Sequence, residues 1–260
     1  MYPVLNIFGF EIQTYSILAA IGFIVTVSVA VCISKRRSIA PDKSLMASLV
    51  AGLGILLGGH VLFAVTNIQG IIQIIKAEGF SFSSLVPYIS GMVFYGGLFG
   101  AMIAISLYCF VNKDVSKSDV FDVFAVSIPL FHTFGRVGCF FAGCCYGVES
   151  DFGFAAYLNT APAHYGISRF PVALVEALIN LLLFVLLINL YKKKRFAGKL
   201  IFIYLLIYAF SRFILEFFRG DDIRGFVFGI STSQFISLLI IAFLLMYCVV
   251  LYIKKRHKMK

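Results

Sequence analysis

Residues 13–34 read QTYSILAAIGFIVTVSVAVCIS and contain no Asp, Glu, Lys or Arg. A helix that crosses the hydrocarbon core of a bilayer needs about 20 mostly apolar residues. This stretch therefore predicts a transmembrane helix. We expect it to remain in the mature chain rather than to be cleaved as a signal peptide, because no basic segment precedes it and no small-residue cleavage site follows it.

Six further stretches have the same length and apolar character: about 44–66, 90–111, 120–141, 170–191, 200–219 and 232–253. Over the whole chain of 260 residues, 61% are apolar and 13% are charged, against about 25% charged residues in ordinary soluble domains. Such a composition excludes a water-soluble globule and a disordered chain. We predict an all-α integral membrane protein with seven transmembrane helices, forming a single domain over residues 1–260.

The basic residues indicate how the chain is oriented. Sixteen of the 22 fall in the linkers after the first, third and fifth stretches and in the C-terminal tail. Positive charge concentrates on the cytoplasmic side of membrane proteins, so we expect the N-terminus outside and the C-terminus inside. The basic runs are topology signals that contact anionic membrane lipids, and we expect no nucleic acid partner.

Two linkers on the outer side are longer than the others. Residues 67–89 contain an apolar run that is too short to span a bilayer, which favours an interfacial arm. Residues 142–169 contain Gly, Pro, Asn and Tyr and predict a small extracytoplasmic cap.

The remaining basic residues are Lys76, Arg136, Arg169, Arg212, Arg219 and Arg224. Ionisable groups at membrane depth are costly and indicate function. A rise of about 1.5 Å per residue puts Arg136 ~27 Å and Arg212 ~20 Å above the cytoplasmic surface, and Glu176 ~9 Å below the outer surface. The inner half has no ionisable residue beyond Asp119 and Asp122. This pattern predicts a one-sided basic cavity at outer-leaflet depth rather than a transport path.

Helical spacing groups the charged residues further. Arg212, Glu216 and Arg219 fall at i, i+4 and i+7, which places them on one helical stripe. His132 and Arg136 are four residues apart and share a face. The planar guanidinium of arginine suits phosphate, because it donates two parallel hydrogen bonds. Two alternatives remain open: Arg212 and Glu216 form an ion pair that locks helices together, or Arg219 extends to the interface by itself.

The stretch HTFGRVGCFFAGCCYG, residues 132–147, is rich in glycine and cysteine. Its four glycines, Gly135, Gly138, Gly143 and Gly147, favour close backbone packing or exposed amides that bind an anion. Three cysteines, Cys139, Cys144 and Cys145, are compatible with a disulfide, a reactive thiol or small buried side chains. We expect no metal, because there is no second ligand cluster of recognised spacing.

Several motifs together resemble the prolipoprotein diacylglyceryl transferase family. Thr14-Tyr15 is similar to the WYG start of the family's first span, and GMVFYGGLFG (91–100) resembles its FHGGLIG segment. GRVGCFFAGCCYG (135–147) is similar to GR-x-GNF-x-N-x-E-x-x-G, and RFPVALVE (169–176) resembles HPSQLYE. The most specific match is YAFSRFILEFFRGDD (208–222) to YG-x-x-RF-x-x-EF-x-R-x-PD, and STSQFIS (231–237) resembles SMGQ-x-LS.

The resemblance implies a function and a site. Family members move the diacylglyceryl group of phosphatidylglycerol to the lipobox cysteine thiol of a prolipoprotein in the bacterial cytoplasmic membrane, releasing glycerol 1-phosphate. No cofactor is implied, and we expect a monomer. The catalytic residues implied are Arg136, Arg212, Tyr95 and His132. The implied phospholipid-binding residues are Tyr15, Gly96, Gly97, Gly135, Gly138, Cys139, Cys144, Glu176, Glu216 and Arg219.

The chain departs from the family's pattern at polar positions. Tyr95 stands in place of the family's histidine, and Cys139, Ala142 and Cys144 replace two asparagines and a glutamate. Two hypotheses therefore remain. The first is a diacylglyceryl transferase, or a paralogue that uses the same lipid pocket with another acceptor. The second is a non-catalytic or redox membrane protein built on Cys139, Cys144 and Cys145. The arginines favour the first, and the altered polar positions favour the second.

Overall fold

The computed structural model describes residues 2–7, 9–155, 166–221 and 225–258. Arg224 lies outside the described residues. The helices are α1 (Thr14–Ser34), α2 (Pro41–Thr66), α3 (Ile68–Glu78), α4 (Phe82–Ile89), α5 (Phe94–Val111), α6 (Lys117–Ala142), α7 (Val172–Lys192), α8 (Leu200–Leu215) and α9 (Thr232–Lys258). Short 3₁₀ helices at Lys35–Arg37 and Glu216–Phe218 continue α1 and α8.

The described strands form three small antiparallel pairs outside the long helices. Strands β1 (Val4–Ile7) and β2 (Phe10–Gln13) pair before α1. Strand β3 (Glu149–Ala155) pairs with β4 (Ser168–Arg169). Strands β5 (Phe226–Val227) and β6 (Ile230–Ser231) precede α9.

Among the described residues, seven helical segments are long and apolar enough to cross a membrane: Thr14–Arg37, Pro41–Thr66, Phe94–Val111, Lys117–Ala142, Val172–Lys192, Leu200–Phe218 and Thr232–Lys254. The predicted all-α membrane architecture with seven spans is confirmed. The largest difference is at the third span, which begins at Phe94 rather than near residue 90. The cause is local, because Val93 has an extended backbone with φ −105° and ψ 124°.

The chain divides into two compact units. The larger unit comprises residues 1–29 and 124–260, and the smaller unit comprises residues 30–123. Helices α1 and α6 contribute residues to both. That the whole chain forms a single membrane domain stays a prediction.

In the smaller unit, α2 and α5 pack together through facing glycines. A Cβ atom at Gly100 would lie 2.1 Å from the carbonyl oxygen of Gly54, and one at Gly96 would lie 2.4 Å from that of Gly58. Small residues allow helix backbones in a membrane to approach closely and to gain van der Waals contacts. These glycines therefore set the distance between the two helices.

We expect Gly100→Ala to lower the free energy of unfolding by about 1–3 kcal/mol, because the added methyl group overpacks a rigid backbone contact. Thermal unfolding of the purified protein in detergent measures this effect. Gly59→Ala is the matched control, since its Cβ would lie 3.1 Å from the flexible end of Met92. Equal losses of unfolding free energy in Gly100→Ala and Gly59→Ala would contradict the close-packing role of Gly100.

The predicted arm and cap correspond to short elements of each unit. In the smaller unit, residues 67–89 contain α3 and α4, which are too short to span a bilayer. In the larger unit, the region 142–169 includes β3, which pairs with β4. Arg169 is buried there, donates a hydrogen bond to the Gly147 carbonyl oxygen (3.1 Å), and lies 4.7 Å from the Tyr146 ring. The placement of both elements relative to a membrane stays a prediction.

Candidate functional site

Glu176 is the centre of a buried polar cluster in the larger unit. Its carboxylate lies 3.0 Å from Nη2 of Arg136, 3.6 Å from Nε2 of His132 and 3.9 Å from Nη1 of Arg212. Glu176 belongs to the start of α7, His132 and Arg136 belong to α6, and Arg212 belongs to α8. One carboxylate therefore joins three helices.

Arg212 has a second carboxylate partner on its own helix and contacts the start of α9. Its Nη2 atom lies 2.7 Å from a carboxylate oxygen of Glu216 and donates a hydrogen bond to Ser233 Oγ at 3.1 Å. The contact to Glu216 follows from the spacing of four residues. The ion pair of Arg212 and Glu216 thus lies along α8 and the turn that continues it, and the links of Arg212 to other helices run through Glu176 on α7 and Ser233 on α9.

Arg212 still has an unused donor. Its Nη1 atom is buried and makes no hydrogen bond with the described part of the chain. A buried N–H group without an acceptor costs free energy, and an anionic ligand would supply that acceptor. The carboxylate of Glu176 lies 3.9 Å from this donor, beyond hydrogen-bond distance, so a phosphate oxygen is a suitable further acceptor.

Arg219 departs from the predicted stripe. The α-helix ends at Leu215, a 3₁₀ turn follows, and Arg219 has an extended backbone with φ −83° and ψ 136°. The stripe predicted from i, i+4 and i+7 is therefore wrong for Arg219, although it holds for Arg212 and Glu216. The helical spacing fails because the chain leaves the α-helix before it reaches residue 219.

The side chain of Arg219 is paired with Asp221. Its Nε donates to Oδ1 of Asp221 at 2.8 Å, and its Nη2 contacts Oδ2 of the same carboxylate. Burial lowers the pKa of Arg219, but the hydrogen bonds to Asp221, together with the electrostatic effects of Cys145 and Asp221, outweigh it and hold that pKa above its ordinary value. Arg219 is therefore not the isolated interfacial arginine of the alternative interpretation.

His132 packs inside the same cluster. Arg136 Nε donates to His132 Nε2 at 3.2 Å, and the imidazole lies 5.1 Å from the ring of Tyr208. In this arrangement Nε2 accepts a hydrogen bond, so it carries no proton. The predicted shared face of His132 and Arg136 is thus seen as a direct contact.

Two glycines of α6 shape the surface near Arg136. A Cβ atom at Gly135 would meet no atom within 4 Å, so this position faces open space. A Cβ atom at Gly138 would lie 3.1 Å from the Tyr15 ring. Tyr15 itself is exposed. The structure therefore brings Tyr15 against α6 at Gly138, two residues after the arginine.

The three neighbouring cysteines converge at the end of α6. All six cysteines of the chain are free, and the Sγ atoms of Cys139, Cys144 and Cys145 lie within 4.8 Å of one another. In this structure, therefore, no disulfide joins these three cysteines. Hydrogen bonds from the other two thiols lower the pKa of the Cys145 thiol well below its ordinary value, against the effect of burial.

Tyr95, Gly96 and Gly97 lie in the smaller unit, buried at the start of α5. Gly96 faces Gly58, and a Cβ atom at Gly97 would lie 3.1 Å from a methyl group of Ile55. Both glycines therefore have a packing role within this unit. Their predicted role, and that of Tyr95, at a phospholipid site stays a prediction.

Sequence reasoning missed three polar residues around the cluster. Ser233 bonds Arg212, Asp221 pairs with Arg219, and Asn180 donates to the Glu176 carbonyl oxygen at 2.8 Å. Asn180 was detectable as a polar residue in a mostly apolar helix, one turn after Glu176. Ser233 and Asp221 stand inside motifs that had been singled out only for their other residues.

Comparison with known proteins identifies the family. The family profile described as prolipoprotein diacylglyceryl transferase matches residues 3–250. The chain belongs to this family. The resemblance that the motifs indicated is confirmed, and the residues of the buried cluster all lie within the matched range.

Curated relatives in this transferase family are similar over nearly their whole length. The phosphatidylglycerol–prolipoprotein diacylglyceryl transferase of Clostridium tetani is 35% identical over 92% of this chain and 93% of its own. Phosphatidylglycerol–prolipoprotein diacylglyceryl transferase 2 of Clostridium perfringens is 30% identical over 91% of this chain and 90% of its own. The transferase of Chlorobaculum tepidum is 31% identical over 93% of this chain and 87% of its own.

Proposed function

We propose that this multi-pass protein of the bacterial cytoplasmic membrane is a phosphatidylglycerol–prolipoprotein diacylglyceryl transferase. It transfers the diacylglyceryl group of phosphatidylglycerol to the thiol of the lipobox cysteine, which is the first step of lipoprotein maturation. Family membership over residues 3–250 supports the reaction. The observation that carries the site assignment is the buried cluster in which Glu176 holds Arg136 and Arg212.

The reaction requires two kinds of help. The sulfur of the lipobox cysteine forms a bond to the terminal glycerol carbon of the diacylglyceryl group, and the bond from that carbon to the phosphate oxygen breaks. The electron pair of this bond leaves with glycerol 1-phosphate, and the thiol loses its proton to a base. A catalyst must therefore stabilise charge on the phosphate and activate the thiol.

Arg136 and Arg212 supply the positive charge in this proposal. Arginine binds phosphate with charge-assisted hydrogen bonds in a fixed planar geometry. Glu176 and Glu216 keep both guanidinium groups in place in a buried site, where such contacts are stronger than in water. The unused Nη1 donor of Arg212 then bonds a phosphate oxygen, and Gly135 leaves room beside Arg136.

His132 is the proposed base for the thiol proton. Its Nε2 carries no proton, and the lone pair that accepts from Arg136 in this structure becomes available to the thiol when Arg136 turns to the phosphate. A tyrosine hydroxyl keeps its proton near neutral pH, which favours His132 over Tyr95 in this role. Tyr15, which lies against α6, is then the proposed tyrosine that binds the phospholipid.

The membrane arrangement completes the proposal. The N-terminus lies outside and the C-terminus in the cytoplasm, as the basic linkers indicate. The buried cluster then lies in the outer half of the bilayer, where the phospholipid headgroup and the lipobox of a secreted prolipoprotein meet. We expect the protein to act as a monomer.

Complementation tests the function directly. A bacterial strain depleted of its own transferase is supplied with the wild-type chain, and we expect growth and lipidated prolipoprotein to be restored. An empty vector is the control, and an immunoblot of the membrane fraction verifies expression. Failure of the expressed wild-type protein to lipidate any prolipoprotein would contradict the proposal and favour the redox alternative built on the three cysteines.

A further inference from the structure

The three converging cysteines have no assigned step in the proposed transfer reaction. Spacing in the sequence predicted no metal here, but the three thiols converge in the structure, and we propose that Cys139, Cys144 and Cys145 bind one thiophilic metal ion, Zn²⁺ or Cu⁺, through their sulfur atoms. This inference is independent of the proposed transferase function, because it rests on the thiol geometry alone.

The spacing of the sulfur atoms matches a single ion. A zinc–sulfur bond is about 2.3 Å long, so three sulfurs around one ion are about 3.8–4.0 Å apart in tetrahedral or trigonal geometry. The three Sγ atoms lie within 4.8 Å of one another and none is disulfide-bonded. Movements of less than about 1 Å would therefore close the site around an ion of this size.

The backbone holds this arrangement in place. Helix α6 ends at Ala142, Gly143 turns the chain with φ +70°, and Cys145 has φ +57°. The amide of Cys144 donates to the carbonyl oxygen of Cys139 at 3.1 Å, which folds the two residues together. A non-glycine residue at positive φ is uncommon, and here it directs the third thiol back toward the other two.

The surroundings supply access and positive charge. Cys144 is exposed, while Cys139 and Cys145 are half-buried. Cys144 and Cys145 also line a small cavity with Phe140, Tyr146 and Phe154. The guanidinium groups of Arg136 and Arg219 act electrostatically on Cys145. Their charge offsets the negative charge that three thiolates leave around a monovalent or divalent ion.

The ligand set selects the class of ion. Soft thiolate ligands favour Cu⁺ and Zn²⁺, whereas Mg²⁺ and Ca²⁺ require oxygen ligands. In the described part of the chain, the side chains grouped here that can ligate a metal are those of the three cysteines. Cu⁺ is then trigonal, and Zn²⁺ takes one water as its fourth ligand. Binding releases the thiol protons to solvent, and no electron is transferred.

The test uses the full chain in detergent, reduced and freed of metal. Zn²⁺ and, under anaerobic conditions, Cu⁺ are titrated in separate arms, and bound metal is counted after desalting. We expect at least one of the two metals, Zn²⁺ or Cu⁺, to bind in a ratio of one ion per chain. Each of Cys139→Ser, Cys144→Ser and Cys145→Ser is expected to weaken that binding by at least about tenfold, since even outer-shell changes at metal sites cost 10–100-fold.

The control is the double variant Cys32→Ser/Cys248→Ser, which removes two isolated exposed cysteines and should keep full binding. Cys144 is itself exposed, so Cys144→Ser remains informative if the other two variants fold poorly. Three results would each overturn the proposal: neither ion is retained, binding persists in Cys144→Ser, or the control loses its metal. The proposal would also be overturned by two results together. A thiol count finds a disulfide within this cluster in the isolated protein, and the reduced protein binds neither ion.

Discussion

Replacement of Arg136 by alanine is expected to slow diacylglyceryl transfer by about 10²–10³-fold, the usual effect of removing one donor that stabilises developing negative charge. Arg136 provides this donor in the proposed site because its guanidinium is held 3.0 Å from Glu176 beside the open space at Gly135. The rate of thioether formation on a lipobox peptide, with phosphatidylglycerol in mixed micelles, measures the effect.

Two further variants make the measurement specific. Arg136→Lys keeps the charge but loses the planar fork, so we expect a rate between those of wild type and Arg136→Ala. Arg195→Ala removes an exposed arginine from the linker after α7 and should leave the rate unchanged. A wild-type rate in Arg136→Ala would contradict the phosphate-binding role.

Replacement of Glu176 by glutamine is expected to damage both stability and activity. The side chain keeps its shape but loses the charge that holds Arg136 and Arg212. Removing one partner of a buried ion pair typically costs about 3–5 kcal/mol, because the remaining charge stays buried without compensation. We also expect transfer to fall at least about tenfold in protein that remains folded, since displacement of catalytic groups by about 1 Å lowers rates strongly.

Glu149→Gln is the matched control for this prediction. Glu149 also pairs with an arginine, Arg169, at 3.7 Å, but its side chain is 68% exposed. Exposed ion pairs contribute about 0–1 kcal/mol, so this variant should unfold close to the wild-type temperature. A similar thermal shift in the two variants would contradict the central position of Glu176.

The membrane fold could be predicted from the sequence because it depends on local composition. Each of the seven spans is a run of apolar residues whose length suits the bilayer, and no distant contact is needed to see it. The contact of Arg212 with Glu216 was predictable for the same reason, since helical spacing alone brings residues four apart together. The start of α5 at Phe94 was missed because the extended backbone at Val93 interrupts an otherwise apolar stretch.

The candidate site was predictable only in part. The sequence indicated Glu176, Arg136 and Arg212 as separate costly charges, but their convergence depends on how α6, α7 and α8 pack. The position of Arg219 depends on a 3₁₀ turn that no periodicity reveals. The meeting of Cys139 with Cys144 and Cys145 likewise depends on a turn at Gly143 with positive φ.

A double-mutant cycle tests most directly whether Arg136 and Arg212 bind one phosphate of phosphatidylglycerol. Transfer rates are measured for wild type, Arg136→Ala, Arg212→Ala and the double variant. Mutations of residues that act as a unit have strongly non-additive effects on rate. We therefore predict a large loss of transfer rate in each single variant. The loss in the double variant is expected to be far smaller than the product of the two single losses. Wild-type rates in both single variants, or losses that multiply independently, would contradict this account.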